Sequence, residues 1–519
     1  MSLKKKATKG SIWTSLTRSG INVVDFLVYA YLARVLTLEE FGLAGFCFLF
    51  IEFANTLVNA GVNQNLVQRD KWEDRYAAST MTFVAGMGVV VVLGILGIGA
   101  PIAYFSYSEL AAWVVASLAP ITLVTSLQVV VSGKLLREFK NKQMGVAKFC
   151  ATLISATTIV ILAEIGYGLW ALIIGKLVNA VIQYLLLIYV AKFKPYFHFN
   201  RDDNKELIRF CLPLFGMTVM NFLHRKASNL FTGIVLGPAS FALLAAAHKG
   251  ATVINQVTMS SINAMVVPSF SRVKEREKLG ALYIKMVTIT AVMVCPIFMG
   301  LAAVADPFVV VAFGDKFAPS ATFMTISAFS IFPSVVAWFL PNLLISNAKT
   351  GDAFRLTLLN LFTNIGVAGT TIWFGIEVML TCMVIGAFLS LPVRLWIVNK
   401  HVQIDFKSLT KSLLPPSISA LLMFFFLMML KTHLEGQFQS DVLILLILVF
   451  LGALLYPLFL FGLFFRSAKL HTLELKAMFL KGEAKAIAAW CEEQGMTLNA
   501  KQRGKLIDTR HWLKMRDLH

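Results

Sequence analysis

Arg18, Lys176, Arg225, Lys226 and Lys249 stand inside long apolar stretches, five of the 47 Lys and Arg of a 519-residue chain, with Asp25 and Glu52 set among them. A cation in hydrocarbon costs at least ~2.5–3.5 kcal/mol, so such residues normally face a water-filled interior and mark a pathway. Five bases against two acids leave positive charge that packing alone does not need. The chemistry this suits is the holding of an anion: Lys as a point charge and Arg as a planar fork both grip phosphate or pyrophosphate.

Spacing sharpens that reading. Ser11, Ser15, Arg18, Asn22, Asp25 and Tyr29 recur in steps of three and four, which at helical pitch puts them on one face, while Ile12, Leu16, Val23, Val24, Leu27 and Val28 cover the rest. Glu52, Asn55, Asn59 and Asn63 follow the same rule, as do Lys176, Asn179 and Gln183, and Lys249, Thr252, Gln256 and Asn263 with His248 beside the lysine. Amides and hydroxyls match the hydroxyls of a sugar. The candidate ligand-holding set is therefore Arg18, Asn22, Lys176, Arg225, Lys226, Lys249 and Gln256, and an anionic, sugar-bearing cargo would explain it. Asp25, Glu52 and His248 could bind and release a proton or a sodium ion, with simple charge balance as the alternative. For any single amide the alternative is a hydrogen bond between helices, and for Arg18 and Asp25 it is a bridge two turns apart that locks packing.

The elements that must position these side chains are helices. With 57% hydrophobic and 14% charged residues and a mean hydropathy of +0.73, the chain is too apolar for a soluble protein of this length. Apolar blocks of roughly 20 residues match a ~30 Å hydrocarbon layer. Spans are expected near 11–34, 41–61, 79–104, 111–133, 145–164, 168–191, 207–230, 240–263, 283–305, 318–346, 353–374, 376–399, 412–431 and 441–465, giving an all-α polytopic membrane protein of about 14 transmembrane helices. With the N-terminus in the cytoplasm, alternate segments hold 28 Lys and Arg inside, against Arg34, Lys316 and Lys431 outside. That asymmetry predicts cytoplasmic N- and C-termini, and it accounts for the net charge of +19 through topology and anionic lipid headgroups, with no call for nucleic acid.

Sliding the chain on itself by 200 residues brings Val35, Leu36, Phe41, Leu43, Asn55 and Asn63 onto identical residues at 235, 236, 241, 243, 255 and 263. Two parallel repeats of six spans follow, with a site at their interface. The expected division is a first bundle at 1–191, a cytoplasmic linker at 192–206, a second bundle at 207–399, two extra helices at 412–465 and a basic cytoplasmic tail at 466–519. The tail reads as surface helix, or as a docking segment for a partner. Pro120, Pro213, Pro268, Pro296, Pro333, Pro341 and Pro392 fall in or beside spans and permit bends.

Other classes find little support. The N-terminal lysines imitate a secretion signal, yet the apolar run that follows is too long and contains Arg18 and Asp25. Six scattered cysteines give neither a disulfide framework nor a metal site, and no phosphate-binding G-x-x-x-x-G-K-[ST] loop occurs. The glycine-rich stretch 86–99 lies within a span, where it predicts close helix packing. Asp202-Asp203 reads as a charged loop. No cofactor is expected. Outer loops of at most about a dozen residues count against an enzyme built on a large external loop.

Three segments resemble one family. Leu32-Ala33-Arg34-Val35-Leu36-Thr37-Leu38-Glu39-Glu40-Phe41-Gly42 is similar to the polysaccharide-transporter family, the repeat-unit flippases of the multidrug/oligosaccharidyl-lipid/polysaccharide superfamily. The segment from Ala60 to Asp70 resembles that family after its second span, and Leu236-Gly237-Pro238-Ala239 its turn between spans 7 and 8. Likeness is greatest to the colanic-acid and exopolysaccharide exporter branch, over about residues 1–465. The resemblance implies two pseudo-symmetric six-helix bundles around a central cationic cavity in the bacterial inner membrane. Its implied cargo is an undecaprenyl-pyrophosphate-linked oligosaccharide, passed between leaflets for a polysaccharide assembly machinery. It also implies that spans 1, 2, 7 and 8 line the cavity, with Arg18, Asp25, Arg225 and Lys249 foremost. The rivals are a drug or organic-cation antiporter of the same superfamily, a membrane polymerase or ligase, and a non-transporting scaffold.

Overall fold

In a computed structural model, residues 3–69, 71–270, 275–347, 349–438 and 440–464 are described. Side chains are described neither for residues 3–12 and 253–269 nor at Ser15 and Ser106, so Ser11, Ser15, Gln256 and Asn263 lie outside the described side chains, and the tail at 466–519 lies outside the described residues. Helix follows helix throughout, with no strand among the described residues. The order begins with α1 (Leu3–Val35), α2 (Leu38–Asn59), α3 (Val62–Gln68) and α4 (Asp74–Gly94), which passes through a π turn into α5 (Ala100–Ser106). It continues with α6 (Glu109–Arg137), α7 (Asn141–Glu164), α8 (Leu169–Ala191), α9 (Arg201–Phe270), α10 (Arg276–Ala303), α11 (Ala305–Phe313) and α12 (Ser320–Ala328). The last are α13 (Ile331–Ala337), α14 (Leu340–Ser346), α15 (Thr350–Thr371), α16 (Ile376–Asn399), α17 (Phe406–Glu435) and α18 (Asp441–Leu463).

Ten of the described helices are long and apolar enough to cross a membrane, or up to eleven if the bent pair Ser320–Ala328 and Ile331–Ser346 is one span. The expected fourteen is not reached. The charged α1 and the polar α15 fall outside that set, and α9 counts once although Gly237, at φ 82° and ψ −179°, breaks it into two arms. Two further expectations change. The stretch 305–317 is no loop: α11 and a 3-10 turn bury Phe313 and Phe317 among Phe26, Tyr29, Phe41 and Phe308. Among the glycines of 86–99, Gly88 packs closely, against Ser126, whereas Gly86, Gly94 and Gly97 have nothing within 4 Å.

The chain forms two compact units. The first comprises Met1–Ala264, Ala305–Ser327 and Lys349–Pro392, the second Met265–Val304, Ala328–Ala348 and Val393–His519. In the second, α10 packs on α17, Gly280 lies against the Gln403 carbonyl, and the fully buried Tyr283 donates its hydroxyl to the Val336 carbonyl at 2.8 Å. The first holds every candidate residue that the structure describes.

Local chemistry explains how the first unit turns its corners. Thr37 caps α2 reciprocally: its hydroxyl accepts from the Glu40 amide at 3.2 Å and the Glu40 carboxylate accepts from the Thr37 amide at 3.1 Å. Gly42 then meets the Pro238 carbonyl so closely that a Cβ there would sit 1.8 Å from its oxygen. After α2, Gly61 takes φ 84°, so Asn63 falls on α3 and leaves the stripe of Glu52, Asn55 and Asn59. Arg137 closes α3 by donating to the carbonyls of Leu66, Val67 and Arg69, and Arg69 stacks on Tyr76 at 3.4 Å while pairing with Glu206 at 3.2 Å.

Helix ends also use the cations that the topology count sets apart. Lys316 donates to the carbonyls of Arg34, at 3.1 Å, and Leu36, while Arg34 donates to the carbonyl of Val311. Lys316 thus satisfies carbonyls at the end of α1, and Arg34 one at the end of α11, that the helices leave orphaned. Replacing Lys316 by Met is expected to lower stability by about 1.5 kcal/mol, the worth of a hydrogen bond from a charged donor. Thermal unfolding in detergent reads this, and an unchanged midpoint would show the contact to be energetically idle.

Candidate functional site

Five helices of the first unit enclose a cavity of about 190 Å³ whose polar wall is Asp25, Tyr29, Thr152, Ser155, Lys176 and Lys249. Each helix contributes a stripe: Asp25, Val28, Tyr29 and Leu32 from α1; Phe41, Gly45 and Phe48 from α2; Thr152, Ser155, Ala156 and Ile159 from α7; Leu172 and Lys176 from α8; and Phe241, Ala242, Ala245 and Lys249 from α9 beyond its bend. Close approach of α8 to α7 positions Lys176. A Cβ on Gly175 would meet Ile159 at 2.1 Å, and the Ser155 hydroxyl donates to the Gly175 carbonyl at 2.8 Å. Gly250 does the same for Lys249, lying against Phe308 and Met324.

Lys176 and Asp25 are 3.8 Å apart, with side chains 41% and 39% exposed. A pair this open is screened by solvent and holds loosely, so Lys176 remains available to a ligand. Lys249 stands over the Tyr29 ring, 5.1 Å from its centroid, within electrostatic reach of Asp25, Lys176 and Lys226. The Tyr29 hydroxyl is buried without a hydrogen-bond partner among the described residues. Lys226 binds Glu52 at 2.8 Å outside the cavity wall, and His248 contacts the Asn229 side chain at 3.1 Å. Of these groups three are cations and two are carboxylates, so one positive charge is left over, and Lys249 is the cation without a carboxylate in contact.

The structure thus brings Asp25, Lys176 and Lys249 together, with Lys226, Glu52 and His248 around them. It does not bring the whole predicted set. Asn22 and the exposed Arg18 precede the cavity on α1 and do not line it. Arg225 is exposed, and its Nε donates to the Asn221 carbonyl of its own helix at 3.3 Å. The first arm of α9 lines none of this cavity, whereas α7 and α8 do, which differs from the family-based expectation of spans 1, 2, 7 and 8. Thr152 and Ser155 were missed because an isolated hydroxyl in a helix usually bonds back to its own turn, as Thr152 does to the Lys148 carbonyl. Tyr29 stood on the predicted stripe without being singled out. No group of three or more His, Cys, Asp or Glu that could hold a metal comes together among the described residues.

Comparison with known proteins agrees with the motifs. A family model described as polysaccharide biosynthesis protein matches residues 31–322. The succinoglycan biosynthesis transport protein ExoT of Rhizobium meliloti (strain 1021) is 26% identical over 318 residues, 60% of this chain and 64% of that protein. The lipopolysaccharide biosynthesis protein WzxC of Escherichia coli (strain K12) is 26% identical over 328 residues, 61% of this chain and 65% of that protein. The matches therefore span slightly less than two thirds of both relatives. Among solved structures, the lipid II flippase MurJ in an inward closed conformation shares the fold with a TM-score of 0.73 at 14% identity, over 87% of this chain and 99% of that one. An inward-facing multidrug resistance MATE family transporter of the MOP superfamily follows at 0.52 and 16%, over 77% and 95%. With its fold that of MurJ and the MATE transporters, and with more than half its length matched by the family model, this chain belongs to the polysaccharide biosynthesis protein family.

Proposed function

We propose that this chain flips an undecaprenyl-pyrophosphate-linked oligosaccharide repeat unit across the bacterial cytoplasmic membrane, as a transporter and not an enzyme. The observation that carries the reading is the surplus positive charge at a cavity set among apolar helices, where Lys176 and Lys249 face Asp25. At about 190 Å³ the cavity is smaller than ordinary small-ligand sites of ~300–1,000 Å³, which suits a charged head group and not a whole repeat unit. The lysines take the pyrophosphate, the polar stripes take the glycan, and the prenyl chain stays in lipid. Rocking of the bundles at 1–191 and 207–399, with helices 412–465 beside them and both termini cytoplasmic, gives alternating access. Asp25, Glu52 or His248 exchanges a proton or sodium ion. The names of ExoT and WzxC, which place those proteins in succinoglycan transport and lipopolysaccharide biosynthesis, support a polysaccharide precursor as cargo.

An antiporter of organic cations would share the aromatic wall of Tyr29, Phe41, Phe48 and Phe241. Two lysines against one carboxylate repel such cargo. Deleting the gene should stop polymer export and make a lipid-linked oligosaccharide accumulate in the inner leaflet, identified by mass spectrometry of extracted lipids. Unchanged export together with new drug sensitivity would favour the antiporter and sink the flippase.

A further inference from the structure

The charge count sets Lys148 among the inside cations, at the start of the span expected near 145–164, yet α7 begins at Asn141 and carries it two turns inside the helix. It falls on the protein-facing stripe Met144, Lys148, Thr152, Ser155, Ile159, of which the last three line the cavity, while Val146, Cys150, Leu153 and Ile154 on the opposite face are exposed. Helices α1 and α7 run parallel and in contact along this stretch. Lys142 lies over the Trp13 ring at 4.4 Å, a Cβ on Gly145 would meet the Thr17 hydroxyl at 2.4 Å, and the Tyr31 hydroxyl donates to Glu164 at 2.6 Å. That register sets Arg18 beside Lys148, within electrostatic reach. Among the described residues neither has a carboxylate or a hydrogen-bond acceptor for its cationic group. Lys148 is half-buried and Arg18 exposed, so the pair leaves a local surplus of positive charge that a bound anion would offset.

We infer that Arg18 and Lys148 form a second cationic station, built for a phosphate or diphosphate head group, between the N-terminal ends of α1 and α7 and the cavity. This rests on the flippase reading and extends it to a residue outside the cavity. Seven residues separate Arg18 from Asp25 and four separate Lys148 from Thr152, so the station lies about 10 Å from the cavity wall along α1 and about 6 Å along α7, at 1.5 Å per residue. Thr152, which lines the cavity, stands one turn beyond Lys148 on the same stripe. The head could belong to the prenyl-diphosphate cargo or to a phospholipid of the leaflet.

The test uses the full-length protein in phosphatidylcholine nanodiscs, with binding of undecaprenyl pyrophosphate and of phosphatidylglycerol each measured by native mass spectrometry. Lys148→Met and Arg18→Met should each weaken binding about 10-fold, the double variant little more than either, and Lys148→Arg should retain it. Loss confined to undecaprenyl pyrophosphate assigns the station to cargo; equal loss for both lipids assigns it to any phosphate head group. Binding by Lys148→Met that equals the parent's overturns the station. Lys249→Met separates this from the cavity: if it alone loses binding the station falls, and if it binds normally while Lys148→Met does not, the cavity reading falls and the station stands.

Discussion

Replacing Lys249 by Ala is expected to cut polymer export about 10- to 100-fold, the loss of one charge-assisted contact to an anion, while the protein still inserts and accumulates. The size follows from what surrounds it. Lys176 has Asp25 at 3.8 Å and Lys226 has Glu52 at 2.8 Å, so each of those cations is partly neutralised before any ligand arrives. Lys249 has an aromatic face and an unpartnered Tyr29 hydroxyl beside it, and its charge is the one a bound anion would meet in full. Lys249→Arg should restore part of the activity, because the charge returns on a fork of different reach. Lys249→Glu should be worse than Ala, since it turns the local balance negative. The measurement is polymer output in a deletion strain, normalised to protein in the membrane. Full output from a well-expressed Lys249→Ala protein would mean that the surplus charge serves packing, and the proposed mechanism would lose its central residue.

How far the site could be read from the sequence depended on neighbours. The stripe on α1 correctly set Asp25 and Tyr29 on one face, because helical periodicity is a local property. Adjacent residues are different: about 100° apart around a helix, two neighbours point in different directions and meet different partners. Lys226 therefore turns to Glu52 while Arg225 stays exposed, and Lys249 reaches the cavity wall while His248 turns to Asn229. Periodicity names the face but not the partner across it. It also cannot say where a helix starts, and so Lys148, close to Lys140 and Lys142, counts with the inside cations although α7 begins seven residues before it. The family-like segments were legible as motifs, but their physical content is scaffolding. Thr37 and Glu40 cap a helix, Asn65 accepts from the Tyr76 hydroxyl at 2.8 Å, and Gly42 makes room for a carbonyl.

Gly42→Ala is expected to be the most damaging small substitution in the first unit. Its Cβ would lie 1.8 Å from the Pro238 oxygen and 2.4 Å from the carbonyl carbon, far inside contact distance. A flexible side chain could swing away, but this carbonyl is backbone, fixed by the ring of Pro238 and by the preceding Gly237, whose φ of 82° an L side chain rarely adopts. Either α2 or the second arm of α9 must back off, and the neighbouring close contact of Gly45 with Phe241 would open with it. The cost should exceed the ~1–3 kcal/mol typical of overpacking, enough to lose most of the folded protein. Gly216→Ala is the matched control, because nothing lies within 4 Å of its Cβ and alanine is the better helix former. Size-exclusion yield and thermal unfolding in detergent compare the two. A Gly42→Ala protein that purifies and melts like its parent would show that the segments around residues 42 and 238 do not meet as closely as they do here. Their contact has a further meaning: Gly42 and Pro238 flank turns that the 200-residue offset places in register, so the two proposed repeats touch at their own first turns. A rocking mechanism must pivot on that contact or break it, and a larger side chain at Gly45, whose nearest neighbour is the Phe241 ring, should slow transport without loss of fold.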